Sequence, residues 1–202
     1  MATYEYMNNR KTNRPRPQGL LFANNPGTLT NGFYVPEGDE FEDFIILSDD
    51  NRGEIGFKQE RIETKKRMIN GRMRSYFIAD KISIDVSWQR LPSRAFAYGG
   101  EDSINSNGTI SSEVLSMQES YTTDGGAGGV ELLKWYKEHP GSFWVYLAYD
   151  NYDNFSGEEK FNNLNRYNEI IEVFFDSFDH SVEKRGGTNF DFWDVSLNLE
   201  EV

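Results

Sequence analysis

Ile82, Ile84, Val86 and Trp88 alternate with Ser83, Asp85 and Ser87, and a hydrophobic period of two fits a strand with one buried and one wet face. A helix through the same residues would scatter those apolar side chains around its circumference. Just upstream, Met68-Ile69-Asn70-Gly71-Arg72-Met73 sets an Asn-Gly pair between apolar-flanked runs. That predicts a hairpin closed by a type I′ turn, with positive φ at both central residues. Glu54 to Trp88 is therefore expected to be one long hairpin, sheet made for joining other chains and not a frame for a catalytic site.

The last part of the chain repeats the pattern. Tyr167 to Val182 reads as a strand that turns through Glu183-Lys184-Arg185-Gly186-Gly187-Thr188 and returns as Phe190 to Leu199. Trp193, Val195, Leu197 and Leu199 share one face, and Asp194, Ser196, Asn198 and Glu200 the other. The apolar phase slips between Phe192 and Trp193, which predicts a bulge there. Phe143-Trp144-Val145-Tyr146-Leu147-Ala148-Tyr149 is bulky on both faces, as a central strand covered by two layers would be.

One helix is expected over Val130 to Glu138, with Leu132, Leu133, Trp135 and Tyr136 at helical spacing and His139-Pro140-Gly141 as its stop. A second short one is placed near Ser112 to Met117. Phe41, Phe44, Ile45, Ile46 and Leu47 open the folded body, Asp49 to Gly53 is a turn cluster, and residues 99–112 form an exposed loop. Arg10, Lys11 and Arg14-Pro15-Arg16-Pro17 read as an extended basic arm, because proline removes donors and restricts its predecessor. Together these elements predict a mainly β chain: an antiparallel β-sandwich or barrel-like body with a long β-hairpin and one flanking α-helix. The domain reading is a flexible arm over 1–20 and a single β domain over 21–202, a length that can bury a real core.

Charge is distributed unevenly. Residues 1–100 hold 15 Lys and Arg against 13 Asp and Glu, whereas residues 101–202 hold 6 against 20. Within the first half, seven bases (Lys58, Arg61, Lys65, Lys66, Arg67, Arg72 and Arg74) meet only Glu60 and Glu63 between Lys58 and Arg74, in a chain of net charge −12. The acids of the second half sit inside patterned segments such as Glu169 to Asp176, so they decorate sheet. One reading is a basic hairpin meeting an acidic surface, within a subunit or between copies; the other is an ordinary solvated exterior. On the first reading the seven bases are candidate subunit-interface residues.

Known site patterns fail on their details. Gly125-Gly126-Ala127-Gly128-Gly129 precedes a helix, but a phosphate loop lacks its Lys and Ser or Thr, and GxGxxG is broken by Glu131. A lead-in that is flexible or turns tightly is expected instead. Asp150-Asn151-Tyr152-Asp153-Asn154 puts Tyr152 where a calcium loop needs a ligand. With no cysteine, disulfide scaffolding and thiolate chemistry are excluded. His139 and His180 lack a nucleophile's context, His139 being favoured by the helix dipole in any case. No cofactor, metal site or catalytic residue is assigned, although close carboxylate pairs of the kind used in glycoside hydrolysis remain open among 33 acids. The first thirty residues carry only Gly19 to Ala23 as an apolar stretch, so no signal peptide or membrane span is expected.

The segments KRMINGRMRSYFIADKISIDVSWQRLPSRAF and YNEIIEVFFDSFDHSVEKRGGTNFDFWDVSLNLEEV resemble the tail-tube type structural proteins of tailed bacteriophages: tube, minor tail, and distal-tail or baseplate tube-extension proteins. The resemblance runs from residue 40 to the end and rests on strand order, the hairpin, one helix and the acidic terminal strand. It implies a virion tail component made in the host cytoplasm. Copies would form a ring, a hexamer in such proteins, meeting tube, sheath or baseplate neighbours while DNA passes without specific binding. The basic arm and the 99–129 region depart from that pattern. A head-tail junction (neck) protein is a neighbouring reading. From another class comes a carbohydrate-binding β-sandwich with the exposed aromatics among Tyr146, Tyr149, Tyr152 and Phe155 as its platform, and an unrecognised hydrolase is a third.

Overall fold

In a computed structural model, the structure describes residues 19–38, 42–95, 121–124, 126–148, 167, 169–184 and 190–202. Nine strands and one helix are assigned among them: β1 (Leu20–Ala23), β2 (Thr28–Thr30), β3 (Phe33–Val35), β4 (Phe44–Ile46), β5 (Gly56–Arg67), β6 (Met73–Pro92), α1 (Gly129–Glu138), β7 (Phe143–Leu147), β8 (Glu169–Glu183) and β9 (Phe192–Glu201). Seven strands make one antiparallel sheet in the order β4-β1-β7-β8-β9-β6-β5, and β2 and β3 form a separate hairpin. Among the described residues the chain is mainly β with one helix, as its alternations require.

The large sheet rolls toward closure. Chain leaving β4 crosses to β6, where Gly53 N–H donates to the Ser87 carbonyl at 2.8 Å and the Trp88 indole N–H donates to the Ser48 carbonyl at 2.7 Å. The glycine segment before α1 fills the rest of the seam. Ala127 N–H donates to the Ile46 carbonyl at 2.7 Å on the β4 side, and Val130 N–H to the Ser93 carbonyl at 2.8 Å on the β6 side. Here glycine is a matter of space: a Cβ on Gly126 would lie 2.4 Å from Ser48 Cα, and one on Gly129 2.6 Å from the Trp193 ring. The lead-in turns tightly because it is wedged between strands. Its donors are used internally, Gly128 N–H by the Glu131 carboxylate at 3.0 Å, so none of these three is aimed at a phosphate.

Inside the roll, Leu20, Phe22, Leu47, Ile84, Val86, Trp88, Val145, Val173, Trp193, Leu197 and Leu199 pack with Leu132 and Trp135 of α1. On the other face of β1, β4 and β7, Leu21, Phe44, Ile46, Tyr146 and Tyr167 form a second cluster against Tyr34 of β3. The bulky two-faced pattern of β7 thus reflects cover on both sides. Past Ile170 of β8, the described residues cover the sheet on one face only.

Three sequence expectations are corrected in detail. The turn at Asn70-Gly71 is not type I′. Gly71 alone takes positive φ (79°), Gly71 N–H donates to the Met68 carbonyl and Met68 N–H to that of Arg72, a three-residue loop of a type I turn followed by a left-handed glycine. The two-residue loop with both φ positive is at Asn31 (52°) and Gly32 (83°), closing β2 onto β3. The predicted bulge at Phe192–Trp193 is carried by a different strand: β9 pairs with β8 without interruption there, while Gln89 and Arg90 of β6 stand opposite Asp194 alone. Arg90 adopts φ 54° and donates its N–H to Asp194 Oδ1 at 2.8 Å. The folded body also begins earlier than Phe41, since every residue of β1 is buried. Residues 1–18 of the arm expected over 1–20, the 99–112 loop, the short helix near Ser112 and the Asp150–Asn154 turn lie outside the described residues.

Candidate functional site

The β5–β6 hairpin continues far past its neighbours. β6 pairs with β9 only from Ser83 to Pro92, whereas β5 follows it from Asp85 out to Met73. Residues beyond Ser83 therefore form a two-stranded ribbon projecting past the β9 end. Residues opposite one another in an antiparallel ladder share a face, so the register sorts the seven predicted interface bases. Arg61, Lys65 and Arg67 lie on the face that continues from Phe57 and Ile84; Lys58, Lys66 and Arg74 lie on the face that continues from Ser83; Arg72 is in the turn. The sequence grouped these bases by proximity along the chain, and the pleat separates them.

The two faces are chemically unlike. On the first, Arg61 Nε donates to Asp80 Oδ1 at 3.0 Å, and Lys65 pairs with Glu63 at 2.5 Å. That hydrogen bond to Asp80 raises the Arg61 value further, with the carboxylate's charge in support. The Lys65 hydrogen bond, followed by that of the Ser75 hydroxyl, holds Glu63 below its ordinary range. Arg61 also stands 5.7 Å over the Phe77 ring, and Phe57 (42 %), Phe77 (59 %) and Met73 (60 %) are exposed on this side. Much of its charge is neutralised internally and it carries uncovered apolar area. On the second face, Lys58, Lys66 and Arg74 have no ion-pair partner among the described residues.

The second face runs without a break onto the outer surface of β6, β9 and β8. There Ser83 stands opposite Glu200, Asp85 opposite Asn198, Ser87 opposite Ser196, and Ser196 and Asp194 face Asp179 and Ser181. The result is a wall of carboxylates, hydroxyls and amides. A wet face of this kind is ordinary for an antiparallel sheet covered on one side; Arg90 of β6 also lies on it, paired with Glu183 of β8 at 3.7 Å.

Strand edges remain open on β2, on the ribbon part of β6, on β5 and on β8, among the described residues. β5 has no main-chain partner beyond β6, and β8 from Phe174 to Glu183 has none on the side away from β9, among the described residues. β5 carries five bases against two acids, and β8 five acids with no Lys or Arg.

Of the carbohydrate platform, Tyr146 is wholly buried and donates its hydroxyl to the Asn25 carbonyl at 3.0 Å. It is therefore not one of the exposed aromatics of such a platform; Tyr149, Tyr152 and Phe155 lie outside the described residues. His139 stacks on Trp135 with ring centroids 3.8 Å apart and takes its place at the helix end, while His180 stacks on Trp193 at 5.0 Å. Both are packing elements.

No protein-family model and no curated protein matches the chain. Among solved structures it is similar to a chain in the tail of an empty gene transfer agent particle with C6 symmetry, at 8% identity and TM-score 0.38, covering 92% of this chain and 91% of that one. It is also similar to the cap that terminates the tube of an anti-feeding prophage, at 9% identity and TM-score 0.29, covering 94% and 89%.

Proposed function

We propose that this chain is a structural component of a phage-like tail, and that its copies join into a ring whose bore is lined by the outer face of β6, β9 and β8. The observation that carries the reading is that wall of Asp, Glu, Ser and Asn. DNA is a polyanion, and a basic wall would retain it by counterion release, whereas an acidic one lets it slide. The open edges of β5 and β8 are of opposite charge, so a head-to-tail contact between them satisfies two rows of main-chain groups that otherwise invite uncontrolled pairing. A contact of that type closes only as a ring or runs on as a filament. The hairpin's apolar, internally neutralised face, with Arg61, Lys65 and Arg67, is the surface a neighbouring copy covers, and Arg72 sits at the tip of the same contact.

Native mass of the purified chain tests this. A ring-sized species is expected, and placing aspartate at both Phe57 and Phe77 should reduce it to monomer with the unfolding temperature little changed. A wild-type chain that stays monomeric at high concentration contradicts the reading.

A further inference from the structure

The ribbon's second face holds an arrangement that a free protein has reason to avoid. Lys66 and Arg74 stand directly opposite each other across the ladder, Cα atoms about 5 Å apart, and like charges so placed destabilise a strand pair. Neither has a carboxylate partner among the described residues, although Glu63 and Asp80 on the other face are engaged with Lys65 and Arg61. Two rungs nearer the body on the same face, Tyr76 stands opposite Thr64 and is 54 % exposed. Lys58 lies further along the same face.

We infer that this face of the ribbon is a phosphate-binding site for nucleic acid, contacting the backbone without reading bases. An oxyanion between Lys66 and Arg74 converts their repulsion into two charge-assisted hydrogen bonds, and the planar guanidinium suits phosphate. Tyr76 supplies the flat, half-wet ring on which a sugar or base packs. The assignment of DNA over a second copy rests on the ring reading. In a ring lined by β6, β9 and β8 this face turns the same way as the wall, toward whatever occupies the bore, while the opposite face meets protein. Such a ring would then carry a basic collar at one mouth of an acidic channel, gripping the DNA where the wall only passes it.

The test compares two variants of equal charge. Lys66→Gln/Arg74→Gln and Lys134→Gln/Lys137→Gln each remove two positive charges, the first from the site and the second from the exposed face of α1. Binding of a short mixed-sequence duplex is measured at low and rising salt, alongside native mass. The expected result is salt-sensitive binding by the wild type, a loss of tenfold or more in the first variant with a salt slope shallower by about 2, and little change in the second. Equal losses in both, no wild-type binding at low salt, or a change of mass in the first variant without a change in binding overturns the proposal. A chain that is monomeric yet shows the site-selective loss keeps the site and removes the ring.

Discussion

The indole N–H of Trp88 donates to the Ser48 carbonyl at 2.7 Å, joining β6 to the chain that leaves β4 at the opposite side of the rolled sheet. Trp88 is 1 % exposed and is itself the partner of Arg52 in an antiparallel bridge across the seam. Replacing Trp88 with alanine should cost about 3–5 kcal/mol through lost burial and the cavity left behind. Phenylalanine keeps most of the volume but orphans the Ser48 carbonyl, at a cost of about 1–3 kcal/mol. Urea midpoints at constant m-value measure both. A cost for phenylalanine near zero means that the indole hydrogen bond contributes nothing to the seam.

Glycine at the seam is a steric requirement with a built-in control. Gly126→Ala and Gly129→Ala force a methyl group against Ser48 Cα and the Trp193 ring, and each should lower stability by about 1–3 kcal/mol. Gly141, after the helix, has nothing within 4 Å of an added Cβ and no positive φ. Its alanine variant should be neutral or gain about 0.4–1 kcal/mol through the unfolded chain. Thermal unfolding of the three variants separates a packed wedge from a merely pliant lead-in.

Glu63 is the hairpin's acid-sensitive group. Its folded value is depressed by Lys65 and Ser75, so its support for the ribbon is present above the unfolded glutamate value and is lost as pH falls through the folded one. Titration of the Glu63 carboxyl carbon by NMR should give a midpoint below that of a free glutamate, moving back up in Lys65→Gln. A midpoint unmoved by that substitution contradicts the pairing.

Much of this was legible in the sequence, for reasons that can be named. Period-two alternation showed β6 and β9 because half of each strand is wet, and the helix showed itself through Leu132 to Tyr136 and its HPG stop. β1 was missed because Leu20 to Ala23 is buried on both faces and so has no alternation to detect. Asn70-Gly71 and Asn31-Gly32 are the same dipeptide with different turns, since loop length is set by how the flanking strands pair and not by the pair itself. The bulge was sensed in β9 but belongs to Gln89 and Arg90 across the ladder, where the added residue lets Asp194 reach Arg90 N–H. As for the site, charge counting found the seven bases, yet only register could show that the pleat sends Lys66 and Arg74 one way and Arg61 and Lys65, with their partners, the other.

An electron cryomicroscopy reconstruction of the assembled protein tests the central claim most directly, because it shows which face of the β8–β9–β6 sheet meets the bore. The account predicts a closed ring with Asp85, Asp179, Asp194 and Glu200 lining the channel and the β5 edge of each copy against β8 of the next. A bore lined by Phe57, Phe77 and Met73, or a ring joined through other surfaces with the polar wall on its outside, would contradict it.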